Sequence, residues 1–124
     1  MSGRNVLLDT NVVLYLLNGD DGIEELLQGS IVFLSVITKV ELLSHPHLDR
    51  KGEQVIRELL AAVKLMEFTP EIQERTIQVR RRVKLKLPDA AIAATAAFLG
   101  VQLITADRQF LKLKEEQSVL VIER

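Results

Sequence analysis

Five strand-length apolar runs recur along this chain with helical stretches between them, and that rhythm restricts the fold more than any other feature. The runs cover residues 6–8, 31–34, 65–68, 101–104 and 119–122 and are rich in Val, Ile and Leu. They show little in/out alternation, as expected of strands covered on both faces. Between two of them, residues 53–64 place Val55, Ile56, Leu59, Leu60 and Val63 on one helical stripe. Residues 70–87 read as a second helix whose stripe is Ile72, Thr76, Val79, Val83 and Leu87. Pro88 suits the first turn of a new helix. That helix runs over 88–99, with Gly100 as its C-cap. The alternation predicts an α/β fold, a parallel sheet sandwiched by helices. A length of 124 residues fits one domain, 1–124, and no linker, repeat or low-complexity segment divides it.

Composition removes several classes of function. The chain has no cysteine, which excludes disulfides and thiolate metal sites and fits a reducing, cytoplasmic setting. No apolar stretch is long enough to span a membrane, and the opening residues do not read as a signal peptide. Sixteen basic residues against seventeen acidic ones leave no global charge to attract nucleic acid. Any phosphate-binding surface must therefore come from local patterning.

In open parallel sheets, ligands bind beyond the carboxyl ends of the strands. The polar residues just after the apolar runs are therefore the ones to test. Asp9 follows Val6-Leu7-Leu8, and Asp107 follows Leu103-Ile104 across Thr105 and Ala106. Ser35 follows the second run and would start a helix in which Glu41 lies about a turn and a half along. Asp89 sits beside Pro88 at the opening of a helix. Each acid also has a purely structural reading. Asp9 and Asp107 could be N-caps, Thr38–Glu41 matches a capping box, and Asp89 could complement a helix dipole.

Context separates these readings. Residues 90–106 contain no charged side chain, so that helix reads as buried nearly all round. Helical spacing places Asp89 over Ile92, Ala93 and Ala96, the inward direction. A carboxylate aimed at a dry interior needs a partner, and no nearby cation in the sequence offers itself. Two carboxylates about 6 Å apart repel by roughly 3 kcal/mol at an effective dielectric of 20. A divalent cation among four of them would reverse that sign. An all-oxygen set of Asp9, Glu41, Asp89 and Asp107 suits Mg²⁺ or Mn²⁺ rather than zinc. His45 and His47, without a third ligand, read as part of a surface turn.

Four segments together resemble the motifs of PIN domains: Leu8-Asp9-Thr10-Asn11, Glu41 after the second strand, Leu87-Pro88-Asp89-Ala90-Ala91, and Thr105-Ala106-Asp107-Arg108. The likeness is to VapC-like ribonuclease toxins and spans essentially the whole chain in order. It implies a PIN-like three-layer α/β/α fold with strand order 3-2-1-4-5. It implies that Asp9, Glu41, Asp89 and Asp107 are the catalytic, metal-binding acids, with Asn11 and Thr105 orienting them by hydrogen bonds. It also implies a metal-dependent endoribonuclease, a homodimer and a cognate antitoxin that blocks the site.

RNA must also be held. Arg75, Arg80, Arg81, Arg82, Lys84 and Lys86 cluster in what reads as one helix. Arg75, Arg82 and Lys86 flank one side of its apolar stripe, and Arg80 and Lys84 the other. Arg81, Arg82 and Arg108 are the candidate RNA contacts, although a solvated basic face is an equal reading. Two rivals stand beside the nuclease. One is a catalytically silent PIN-like module that binds RNA or protein. The other is a receiver-type signalling domain, which would need paired acids after the first strand and an Asp after the third. Here Asp9 stands alone and 65–70 supply no Asp.

Overall fold

The computed structural model describes residues 4–124. Five parallel strands form one sheet: β1 (Asn5–Leu8), β2 (Ile31–Ser35), β3 (Lys64–Met66), β4 (Gln102–Thr105) and β5 (Val119–Val121). Their order is β3-β2-β1-β4-β5, the order expected from the resemblance. The helices are α1 (Thr10–Leu17), α2 (Asp21–Leu27), α3 (Val36–Leu43), α4 (Arg50–Ala62), α5 (Pro70–Arg82) and α6 (Leu87–Leu99), with a 3₁₀ segment at Arg108–Leu113. The receiver alternative fails here. In that doubly wound order β1 lies beside β3, whereas here β1 pairs with β2 and β4.

Both sheet faces are covered, as the unbroken apolar strands require. Along β1 the side chains alternate between two cores. Leu7 packs with Leu103, Ala90, Ala93, Phe110 and Leu113 on the side of α5, α6 and the 3₁₀ segment. Val6 and Leu8 pack with Val12, Ile23, Leu42, Ile56 and Ile104 on the side of α1, α2 and α4. Helix α6 is uncharged beyond its first turn because residues Ala90–Ala96 are all buried. It ends at Gly100, whose φ of +70° is the left-handed C-cap conformation that glycine reaches without a Cβ penalty.

Three elements differ most from expectation, the other ends shifting by a single residue. Helix α4 begins at Arg50 under an Asp49 cap and ends at Ala62. Strand β3 is Lys64–Met66, so Phe68 lies outside it. The largest difference is in 70–87, which is not one helix. Helix α5 stops at Arg82, and Val83 is extended (φ −131°, ψ 150°). Lys84 and Lys86 therefore lie off the helix, and the two-sided basic wheel does not exist. The apolar pattern continued past the break because Val83 and Leu85 still pack inward from the connecting loop.

Candidate metal centre

The sheet reverses its strand order between β1 and β4, and both strands end in an acid-bearing segment. Asp9 directly follows β1, and its backbone N–H donates to the Ile104 carbonyl at 3.0 Å, extending the β1–β4 pairing. Asp107 follows β4 by two residues. Thr105 ties the two together. Its buried hydroxyl donates to Asp9 Oδ2 at 2.8 Å and accepts from the Asp107 N–H at 3.0 Å. Asp9 Oδ1 accepts from the Thr10 N–H at 2.9 Å. Asp9 thus caps α1 and Asp107 caps the 3₁₀ segment, accepting from the Gln109 N–H. Capping and a place in the acid cluster coexist in both residues.

Glu41 is not a capping-box residue. Ser35 caps α3, its Oγ accepting from the Ile37 N–H at 3.0 Å. Glu41 lies further along the same helix and is exposed. Its Oε1 receives the Thr10 hydroxyl proton at 2.6 Å. That proton is then committed, so the buried Thr38 hydroxyl, 2.8 Å away, donates to Thr10. No local pattern marks Thr10 as a partner of Glu41, and Thr38, read from the sequence as the start of a capping box, instead bonds Thr10. Their contact joins residues 28 apart, and Thr10 meets Glu41 across 31. Asn11, which the resemblance assigns an orienting role, is exposed on α1, and the hydrogen bonds to the acids run through Thr10 and Thr105.

The acids lie near enough to act on one another's charge. Asp9 is 4% exposed. Burial, opposed by the Thr105 and Thr10 hydrogen bonds and reinforced by Asp89 and Asp107, pushes its pKa up to about 6. Asp89, half-buried in the first turn of α6, is also raised, first by burial and then by Asp107 and Glu41. Lys86, three residues before it, pulls in the opposite direction. Lys86 is the nearby cation that the sequence reading did not find. Among the described residues, no three His, Asp or Glu side chains converge closely enough to hold an ion as they stand. Donor chemistry fits a hard divalent cation: four carboxylates, no thiolate, and both histidines in the exposed turn after α3. There the His47 N–H donates to His45 Nδ1 at 3.2 Å.

Of the basic candidates, Arg108 is exposed immediately beside Asp107. Arg81 is exposed on α5, and Arg82 is ion-paired with Glu116. Replacing Thr105 by valine tests the scaffold without touching an acid. It leaves the Asp107 N–H without its hydroxyl acceptor and Asp9 Oδ2 without its donor. An expected loss of about 1–3 kcal/mol is measurable by urea denaturation.

A three-layer α/β/α domain with a parallel sheet in the order 3-2-1-4-5, and acids following β1 and β4 at its switch point, defines a fold class. Comparison then gives the family: the PIN domain family model matches residues 6–116, and the chain belongs to that family. A toxin–antitoxin complex from Klebsiella pneumoniae contains a chain of the same fold. It has TM-score 0.83 and 29% identity, with 96% of this chain and 99% of that one covered. VapBC-5 from Mycobacterium tuberculosis matches at TM-score 0.70 and 26% identity over 98% and 99%. VapBC2 from Rickettsia felis, bound to a promoter DNA fragment, has the same fold at 0.81 and 17% over 97% and 100%. No curated protein matches the chain. These neighbours agree with the VapC-like resemblance read from the sequence.

Proposed function

We propose that this PIN domain is the toxin of a toxin–antitoxin pair, a cytoplasmic endoribonuclease that hydrolyses RNA with Mg²⁺ or Mn²⁺. The observation that supports the reading is the buried Thr105 hydroxyl, which bonds both Asp9 and the Asp107 N–H at the ends of β1 and β4, with Asp89 within charge range of Asp9, Asp107 and Glu41. Asp9, Glu41, Asp89 and Asp107 would hold the cation, with Thr105 and Thr10 fixing Asp9 and Glu41. When bound, such an ion supplies acidification of an attacking water and offsets charge on the phosphate. Asp9 brings a carboxylate whose ionisation is costly without a cation. Exposed Glu41 lies at the rim, its Oε1 fixed by Thr10. Arg108 would meet a phosphate beside Asp107. Water as nucleophile leaves 5′-phosphate and 3′-hydroxyl ends. The Klebsiella and Mycobacterium neighbours support an antitoxin protein as the partner. Among the described residues, no helix is long and apolar enough to cross a membrane.

The test is incubation with RNA in Mg²⁺, Mn²⁺ and chelator. Metal-dependent cleavage leaving those ends supports the enzyme. Tight RNA binding without cleavage in any metal supports the silent binding module instead. Arg108→Ala is expected to reduce the slope of log K against log salt by about one, read by fluorescence anisotropy in chelator.

A further inference from the structure

Of the four acids, Glu41 alone is exposed, and it has the longest side chain. Left free, it would sample several rotamers, and ordering it on arrival of an ion would cost side-chain entropy. One bond restrains it, from the Thr10 hydroxyl to Oε1 at 2.6 Å, while Oε2 has no donor among the described residues. Thr38 stands one turn before Glu41 on α3, so the two share a side of that helix and Thr10 lies against both. Thr38 is fully buried. A buried hydroxyl proton must find an acceptor. Two other buried helical threonines, Thr76 and Thr95, donate to the carbonyl four residues back, that of Ile72 at 2.8 Å and that of Ala91 at 2.7 Å. Among the described residues Thr38 makes no such bond, and its hydroxyl reaches across to α1 instead.

We propose that Thr38 is a positioning residue for the cation site, acting on Glu41 through Thr10. The inference rests on the reading of the four acids as that site. Two hydroxyls can bond in either direction but not in both at once. If Thr10 donated to Thr38, its single proton would be spent there, and Glu41 Oε1 would have no donor. If Thr38 donates to Thr10, the Thr10 proton stays on Glu41. Burial decides between them. Thr38 has no other acceptor among the described residues, so Thr10 takes its proton and donates its own onward. The bonds thus run in one direction, from Thr38 to Thr10 to Glu41. Glu41 is held by one oxygen, and the other is left for the ion. Asp9 needs no such aid, because the Thr10 N–H and the Thr105 hydroxyl already hold its two oxygens. Thr38 touches neither ion nor substrate; it keeps an exposed acid in place before the ion binds.

Calorimetry with Mn²⁺ and urea denaturation in chelator, both on the full chain, test this together. Thr38→Val removes the hydroxyl and nearly keeps the shape. Thr38→Ser keeps the hydroxyl and loses a methyl. If Thr38 only filled space, serine would be the worse replacement for Mn²⁺ binding; as a positioning residue, valine is. Thr38→Val is expected to weaken Mn²⁺ binding by roughly tenfold, the low end for a group that orients an ion ligand. Thr38→Ser should stay close to the wild-type affinity. Without metal, Thr38→Val should raise the unfolding constant roughly two- to tenfold, the worth of one hydrogen bond. In a Thr10→Val chain, adding Thr38→Val should cost nothing further in either measurement, because the two residues act as a unit. Equal Mn²⁺ affinity in the wild-type chain and Thr38→Val overturns the proposal. So does a serine variant as weak as the valine one, or losses that simply add to those of Thr10→Val. A wild-type chain that binds no Mn²⁺ overturns the cation-site reading itself and this inference with it, so the two failures are told apart.

Discussion

Asp9→Asn makes the metal-free protein more stable at pH 7 while removing its cleavage activity. The two effects have one cause. Asp9 has an ordinary carboxyl value of 3.8 and is pushed up to about 6 by burial and by the acids around it. Above pH 6 the folded chain therefore carries a charge that the unfolded chain carries more easily. A displacement of about two units corresponds to about 3 kcal/mol against the folded state. The sign follows from the direction of the shift. As pH falls from 6 towards 4, the folded state takes up a proton that the unfolded state does not, and stability rises. Below about pH 4 both states are protonated and the effect is constant. Asparagine is neutral throughout. It gives back about 1 kcal/mol because an amide accepts less strongly from Thr10 and Thr105 than a carboxylate does. The variant should therefore gain about 2 kcal/mol at pH 7, on the order of 5–10 °C in Tm, and lose the advantage near pH 4. Cleavage should fall at least about a hundredfold, because losing an ion ligand costs no less than losing a residue that orients one. Thermal melts in chelator across pH 4–8 check the first part. A variant less stable than the parent at pH 7 would contradict it.

The second large effect is on stability. Phe110 is fully buried in the core that holds Leu7, Leu103 and α6. It sits in the 3₁₀ segment capped by Asp107, and its backbone N–H donates to the Asp107 carbonyl at 3.3 Å. The ring therefore anchors the segment that presents Asp107. Phe110→Ala removes most of that side chain from a closely packed interior and should cost about 3–5 kcal/mol. Cleavage by the fraction that remains folded should also fall, since Asp107 loses the anchor of its own turn. Chemical denaturation gives the first quantity. Cleavage assayed well below the melting temperature gives the second. A loss below about 1 kcal/mol would mean the segment is held from elsewhere.

The acids at strand ends were legible because local patterns place them: Asp9 after Val6-Leu7-Leu8, and Asp107 two residues beyond Thr105. Asp89 was legible because a charge-free helix follows it. What stayed hidden depends on contacts distant in the chain. Thr10 becomes a Glu41 partner only when α3 packs beside the start of α1. Thr105 was assigned an orienting role only through the family resemblance, and the structure gives that role its geometry. The end of α5 was invisible for a different reason. Arginine and lysine favour helix, and Val83 and Leu85 keep the apolar rhythm. Only packing against the core decides that the chain turns extended at Val83. With that turn, Lys84 and Lys86 leave the helix, and Arg82 is taken by Glu116. Much of the basic surface inferred from a helical wheel dissolves.

The central claim is that Asp9, Glu41, Asp89 and Asp107 form one cation site, and a calorimetric titration of Mn²⁺ into the wild-type chain and Asp9→Asn tests it most directly. The expected result is saturable binding with proton release that grows as pH drops towards 6, and binding lost in the variant. Absence of heat and of proton release in the wild-type chain at pH 7, or equal binding by both proteins, would contradict it.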